Sequence, residues 1–90
     1  MREASANVVN RLGLHARAAA KLVRAAAQFK SRITLTEPIR DLTADAKSIL
    51  SVLTLSASMG KIIIVKAEGE DEERAVESIS ELFETGFGEL

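Results

Sequence analysis

The stretch Lys61–Phe83, KIIIVKAEGEDEERAVESISELF, carries the two clearest structural signals in the chain. Four consecutive β-favouring residues, Ile62–Val65, predict a strand over Lys61–Ala67. A helix is predicted to follow, because the next apolar residues recur at helical spacing: Ala75, Val76, Ile79, Leu82 and Phe83. Asp71 is expected to cap this helix, and Gly86 is expected to end it in a left-handed conformation. The segment therefore predicts a strand followed by an amphipathic helix.

The rest of the chain shows shorter patterns of the same two kinds. Alternating or β-branched stretches predict strands, and apolar residues at helical spacing predict helices. The predicted strands are Glu3–Val9, Arg32–Thr36 and Arg40–Ala44, and the predicted helices are Ala16–Phe29 and Lys47–Leu55. The order β-α-β-β-α-β-α, with a largely antiparallel sheet, predicts an α+β fold: a two-layer sandwich with helices on one sheet face.

Length and composition limit what the protein can do. Ninety residues suit one small domain, 1–90, with a small core and a shallow surface site, so a partner is expected to complete any chemistry. The absence of cysteine excludes disulfides and thiolate metal sites, and we expect no cofactor and a cytoplasmic location. A net charge of −1, no Trp or Tyr and only three Phe argue against nucleic-acid binding. No signal segment opens the chain, and its longest apolar run, Ile62–Val65, is far too short for membrane insertion.

His15 is the only histidine and immediately precedes the first predicted helix. The first amide groups of a helix have no internal partners, and the helix dipole is positive there, so this end suits a phosphate. An imidazole at this place is a candidate phosphoryl acceptor, with Arg17 as a second contact to the phosphoryl oxygens. From the residues alone a capping or surface role remains open for a lone histidine. A metal site is not supported, because there is no second His and no Cys.

Three motifs together resemble a known family. NRLGLHARAAAKLV at Asn10–Val23 resembles the active-site signature of the HPr family, the small phosphocarriers of the phosphoenolpyruvate-dependent phosphotransferase system. ADAKSILSVLTL at Ala44–Leu55 resembles the family's regulatory-serine signature, and GEDEERA at Gly69–Ala75 resembles its entry to the last helix. The order and spacing of the three motifs agree, and they extend over essentially the whole chain.

The resemblance implies a fold, a reaction and partners. The expected fold is the open-faced HPr β-sandwich, with four antiparallel strands and three helices on one side. His15 would be phosphorylated on Nδ1 by phosphorylated Enzyme I and would pass the group to an EIIA-type domain, with Arg17 contacting the phosphoryl group. Ser48 would match the serine that an HPr kinase/phosphorylase modifies in some members. The protein would then be a carrier that needs partner enzymes, not an enzyme, and we expect a monomer.

A partner surface is predicted around these residues. Ser48 suits a helix N-cap, which does not exclude its phosphorylation. The short helix after Lys47 cannot bury all of its apolar residues, so we expect part of the set Ile49, Leu50 and Leu53 to be exposed near His15 as a docking patch. Leu14 and Ala18–Ala20 are expected to extend this patch. Arg24 is expected to form a basic rim for acidic partners, although a solvated charge is the plainer interpretation.

The sequence departs from the family pattern at three positions and leaves alternatives open. Ala18 stands where the family commonly has Pro, and Ser51 and Ser56 stand where it often has Gly; these changes affect partner choice more than phosphotransfer. A regulatory binding module of the same fold, acting through Ser48, and an unrelated interaction domain are the other classes. Within the carriers, ELFETGFGEL at the C-terminus resembles the nitrogen-related type, whereas AKSIL resembles the branch that the serine kinase regulates.

Overall fold

The computed structural model describes all 90 residues and shows the predicted order of strands and helices. No helix in it is both long and apolar enough to cross a bilayer. The elements are β1 (Arg2–Asn7), α1 (Ala16–Ala26), β2 (Arg32–Glu37), β3 (Leu42–Asp45), α2 (Ile49–Leu53), β4 (Ile62–Glu68) and α3 (Glu72–Glu84), followed by a 3₁₀ turn at Gly86–Gly88.

The four strands form one sheet in the order β1-β4-β2-β3, and every neighbouring pair is antiparallel. The strand predicted from the isoleucine run lies at the centre, where Val65 pairs with Ala4 on one side and with Leu35 on the other. Along β4, Ile63, Val65 and Ala67 are buried, whereas Ile62, on the opposite face of the strand, is exposed. This alternation places one sheet face against the core and leaves the other open, as predicted.

The helices cover the buried sheet face and close the core. The side of α1 that faces inward is mostly alanine, with Leu22 as its one large residue, so this helix packs closely. The inward side of α3 is Ala75, Val76, Ile79 and Phe83, which confirms four of the five residues in the predicted stripe. A single cluster of 22 buried apolar residues joins both helices to the sheet. The predicted two-layer α+β sandwich is therefore confirmed.

Several predicted element ends were wrong. Helix α1 ends at Ala26 rather than Phe29, because the amides of Gln28 and Phe29 bond three residues back, as in a turn. Helix α2 begins at Ile49, after its cap residue Ser48, rather than at Lys47, and it ends at Leu53 rather than Leu55 because the Leu55 amide also bonds three residues back. Strand β3 begins at Leu42 rather than at residue 40, because the hairpin turn extends through Asp41, which has a positive φ of 54°.

The predicted cap of α3 by Asp71 was also wrong. Asp71 stands at the N-cap position, but its side chain does not bond the helix amides. Its carboxylate instead accepts hydrogen bonds from the amides of Lys30 and Ser31 and from the Ser31 hydroxyl. These donors lower the pKa of Asp71 to about 2, the Ser31 hydroxyl most of all, so the carboxylate stays ionised and ties α3 to the start of β2. Gly86 has a φ of +61°, as predicted for the end of α3.

Candidate functional site

His15 lies at the N-cap of α1, as the sequence predicted. Its carbonyl accepts the first intrahelical bond, from Ala19 N at 2.8 Å. Its backbone is extended (φ −74°, ψ 177°) and its side chain makes no capping bond. The imidazole therefore stands beside the helix N-terminus, where the amide groups and the dipole favour an anion. Its side chain keeps about a quarter of its surface exposed, at 24%.

The turn before His15 is fixed by Gly13. This glycine has a φ of +66°, and a Cβ atom built on it would lie 2.4 Å from the carbonyl oxygen of Ala57. The next residue, Leu14, donates its amide to that same oxygen at 2.9 Å. No side chain fits at position 13 without moving backbone, so a glycine is needed to hold the loop against residues 57 and 58.

Glu89, five residues beyond the end of α3, reaches the imidazole. Its two carboxylate oxygens lie 2.7 and 3.0 Å from His15 Nε2. Arg17 also points at this carboxylate, with Nη2 at 3.2 Å and Nε at 3.4 Å from Oε2. The structure thus brings His15 and Arg17 together, as predicted, but around a carboxylate that the sequence reasoning had not singled out.

Asn10 holds the carboxylate from the other side. Its Nδ2 donates to Glu89 Oε1 at 2.8 Å and to the Gly13 carbonyl at 2.9 Å. Asn10 is fully buried, and because both neighbours are acceptors, only the amide nitrogen can face them. The hydrogen bonds from Asn10, then His15, then Arg17 lower the pKa of Glu89 to about 2. Glu89 is therefore a carboxylate at neutral pH.

The C-terminal segment that carries Glu89 is anchored in the core. Phe87 is buried and its ring contacts Phe83 edge to face, with the centroids 5.1 Å apart. Lys21 on α1 donates to the Phe87 carbonyl at 2.7 Å. This anchor lies only two residues before Glu89. The sequence offered a weak signal for this anchor, namely an aromatic residue between two glycines after the helix. Nothing in the sequence indicated that this residue packs against Phe83.

Ser48 caps α2 as predicted, because its hydroxyl accepts the Ser51 amide at 3.3 Å. The Ser51 hydroxyl in turn accepts the Asp45 amide at 2.9 Å, so the serine that replaces a common family glycine joins α2 to β3. Of the apolar residues on α2, only Val52 is buried. Leu50 is 75% exposed, Ile49 is exposed and Leu53 is half-buried, which matches the predicted division.

The other residues predicted for the partner surface do not all lie there. Leu14, Ala18 and Ala19 are buried in the core, so the prediction that they extend an exposed patch was wrong. Ala18 and Ala19 lie on the buried alanine side of α1, and Leu14, in the turn before the helix, belongs to the same core cluster. Arg24 is exposed, and Lys47 is exposed while its ammonium donates to the Phe29 carbonyl at 2.6 Å.

The surface cavities lie elsewhere on the molecule. One is on the open sheet face beside Arg32 and Lys66, and the others line α3. None is lined by His15. The fold and the site thus define a class of protein: a small α+β domain that presents a partly exposed imidazole at a helix N-terminus.

Comparison with known proteins identifies the family. The sequence model of the PTS HPr component phosphorylation site matches residues 2–85. Phosphocarrier protein HPr of Xylella fastidiosa strain Temecula1 is 48% identical over 99% of this chain and 98% of its own, and phosphocarrier protein NPr of Shewanella violacea is 38% identical over 97% and 93%. The crystal structure of HPr-C-His from Thermoanaerobacter tengcongensis matches with a TM-score of 0.93 at 38% identity, covering 100% of this chain and 99% of that one.

The chain belongs to the HPr family of the phosphotransferase system. It is a phosphocarrier and not an enzyme. The family resemblance seen in the three motifs is confirmed, and the relatives do not favour the nitrogen-related type over HPr.

Proposed function

We propose that His15 is the residue that carries the phosphoryl group, on Nδ1. The observation that carries this proposal is the engagement of the other ring nitrogen, Nε2, by the ionised carboxylate of Glu89. A carboxylate only accepts hydrogen bonds, so the neutral imidazole places its proton on Nε2 and its lone pair on Nδ1. The lone pair attacks phosphorus, the N–P bond forms, and the bond to the donor breaks with its electron pair staying on the donor.

The phosphoryl group then needs stabilising charge, and the start of α1 supplies it. The first amides of the helix are directed towards its N-terminus and favour an anion there. Arg17 provides the second contribution, because its guanidinium is largely exposed and already points at an anion, the Glu89 carboxylate. In the phosphorylated protein Arg17 turns from Glu89 to the phosphoryl oxygens, which offer charge-assisted hydrogen bonds.

Partners complete the site. No cavity surrounds His15, so the donor and the acceptor must each dock on the surface around it. We assign these roles to phosphorylated Enzyme I and to an EIIA-type domain. The exposed residues Ile49 and Leu50 and the half-buried Leu53 of α2, which packs against α1, form the apolar part of the docking surface, and Arg24 and Lys47 form its basic rim. In this proposal residues 1–90 act as one HPr domain, as a monomer in the cytoplasm.

Phosphorylation of the wild type tests the assignment to Nδ1. Incubation with Enzyme I and phosphoenolpyruvate is expected to attach acid-labile phosphate to the imidazole. Nitrogen-15 NMR of the ring, with phosphorus coupling, is expected to place the N–P bond at Nδ1 and the proton at Nε2. Phosphate at Nε2 would contradict the proposal, and so would phosphate that survives acid.

Ser48 is the proposed regulatory position. Asp caps a helix as well as Ser does, so Ser48→Asp keeps α2 folded while adding a negative charge beside Leu50. That charge loses its hydration when a partner covers the patch, so we expect Enzyme I to phosphorylate His15 about tenfold more slowly. The measurement is the initial rate of phosphate incorporation.

The matched control for this variant is Ser5→Asp, which adds the same charge to the exposed side of β1, away from α2. Ser5→Asp is expected to be phosphorylated at the wild-type rate. Equal rates for the two variants would mean that α2 does not meet the phosphoryl donor.

A further inference from the structure

We propose that Asn10 and Glu89 form a positioning pair for His15, in which Asn10 fixes the carboxylate and the carboxylate fixes the imidazole. The inference deepens the function proposed above and rests on it. Neither residue touches the reacting nitrogen, because both contacts of Glu89 are to Nε2. Their role is to set which nitrogen carries the proton and which way the ring faces before a partner docks.

The pair is held rigidly at both ends. Asn10 is buried, and its carbonyl accepts the Gly13 amide at 3.1 Å across the turn that precedes His15. Its amide nitrogen is shared between the Gly13 carbonyl and Glu89. On the other side, Phe87 in the core and its bond to Lys21 fix the backbone near Glu89. A carboxylate held by two separate parts of the chain loses little entropy when it orients the imidazole.

The oxygen that contacts Asn10 is also the one nearest to the imidazole. Glu89 Oε1 lies 2.8 Å from Asn10 Nδ2 and 2.7 Å from His15 Nε2, whereas Oε2 is the oxygen that contacts Arg17. Arg17 can therefore leave Oε2 for a phosphoryl group without releasing Oε1. The depressed pKa of Glu89, caused first by Asn10, keeps this oxygen an acceptor near neutral pH.

During transfer the carboxylate has a second effect. Attack by Nδ1 leaves the Nε2 proton in place and spreads positive charge over the ring, and a neighbouring anion stabilises that charge. When the group is passed on, the N–P bond breaks and its electron pair returns to Nδ1, so the Nε2 proton is neither lost nor gained. The opposing hypothesis starts from the repulsion between dianionic phosphate and Glu89. In that hypothesis the carboxylate occupies the place of the phosphoryl group and slows phosphorylation until it is displaced.

The variant Glu89→Ala separates the two hypotheses, with Glu84→Ala as the matched control. Glu84 is an exposed glutamate near the end of α3, outside the site. If Glu89 positions the ring, the initial rate of phosphorylation by Enzyme I falls about tenfold in Glu89→Ala, equivalent to ~1.4 kcal/mol, and is unchanged in Glu84→Ala. A rate that stays the same or rises in Glu89→Ala would overturn the proposal.

A second measurement on the unphosphorylated protein does not depend on transfer. The ring N–H of His15 is expected to give a proton–nitrogen NMR signal at Nε2 in the wild type, because the bond to Glu89 slows its exchange with water. The signal is expected to persist in Glu84→Ala and to vanish in Glu89→Ala. Its persistence in Glu89→Ala would contradict the positioning role even if His15 is phosphorylated, whereas a protected Nε2–H in a wild type that takes no phosphate would instead refute the proposed function.

Discussion

His15→Ala is expected to abolish phosphorylation of the protein by Enzyme I. The chain has no second histidine and no cysteine, so no other side chain offers a comparable nucleophile at the start of α1. The measurement is acid-labile phosphate incorporated from phosphoenolpyruvate, and we expect the variant to give the signal of a reaction without carrier. Transfer to an EIIA-type domain is expected to stop as well, because the chain has no second residue to carry the phosphoryl group.

Two controls make this result specific. His15→Ala is expected to unfold in urea within about 1 kcal/mol of the wild type, since the imidazole is partly exposed and lies outside the apolar core. Ser48→Ala is expected to be labelled at a rate close to that of the wild type, which excludes the serine as the site of Enzyme I-dependent phosphate. Equal labelling of His15→Ala and the wild type would contradict the assignment of His15.

The parts of the fold that the sequence predicted are those whose pattern repeats over many residues. Strand β4 and helix α3 each have enough buried positions for their period to be unambiguous, and both occur where the sequence placed them. Helix α2 and strand β3 have only five and four residues, so a turn bond at one end changes a large part of each element. Their boundaries depend on tertiary contacts, such as the bond from Asp45 N to Ser51 Oγ.

The candidate site divides in the same way. The sequence alone predicted His15, Arg17 and Ser48, because each lies at or beside a helix start and belongs to a local motif. The place of Glu89 in the site could not be predicted, because it contacts a residue 74 positions earlier and no spacing rule connects the two. The burial of Ala18 was missed because alanine occurs on both sides of α1, exposed at Ala16 and buried at Ala18, so the residue type does not mark the inward face. The burial of Leu14 was missed because it lies in the turn before α1, whose position depends on the bond to the Ala57 carbonyl.

Phe87→Ala is expected to reduce the free energy of unfolding by about 3–5 kcal/mol, the usual cost of removing a buried phenyl ring. The ring is fully buried and contacts Phe83 edge to face, so its removal leaves a cavity between α3 and the C-terminal segment. The backbone at this position is left-handed, with a φ of 57°. Alanine has a Cβ atom too and meets much the same strain there, so the loss measures the ring rather than the backbone.

Urea unfolding followed by circular dichroism is the measurement, and Leu50→Ala is the control. Leu50 is a large apolar residue on α2 that is 75% exposed, so its truncation is expected to change stability by only about 0.5 kcal/mol. A loss of several kcal/mol in Phe87→Ala alone would show that the residues after α3 belong to the core. The same anchor brings Glu89 to His15, so a Phe87→Ala protein that stays folded in buffer is also expected to lose the protected Nε2–H signal. If its stability equals that of the wild type, the C-terminal segment is not packed on the core, and a fixed carboxylate beside the imidazole has no structural support.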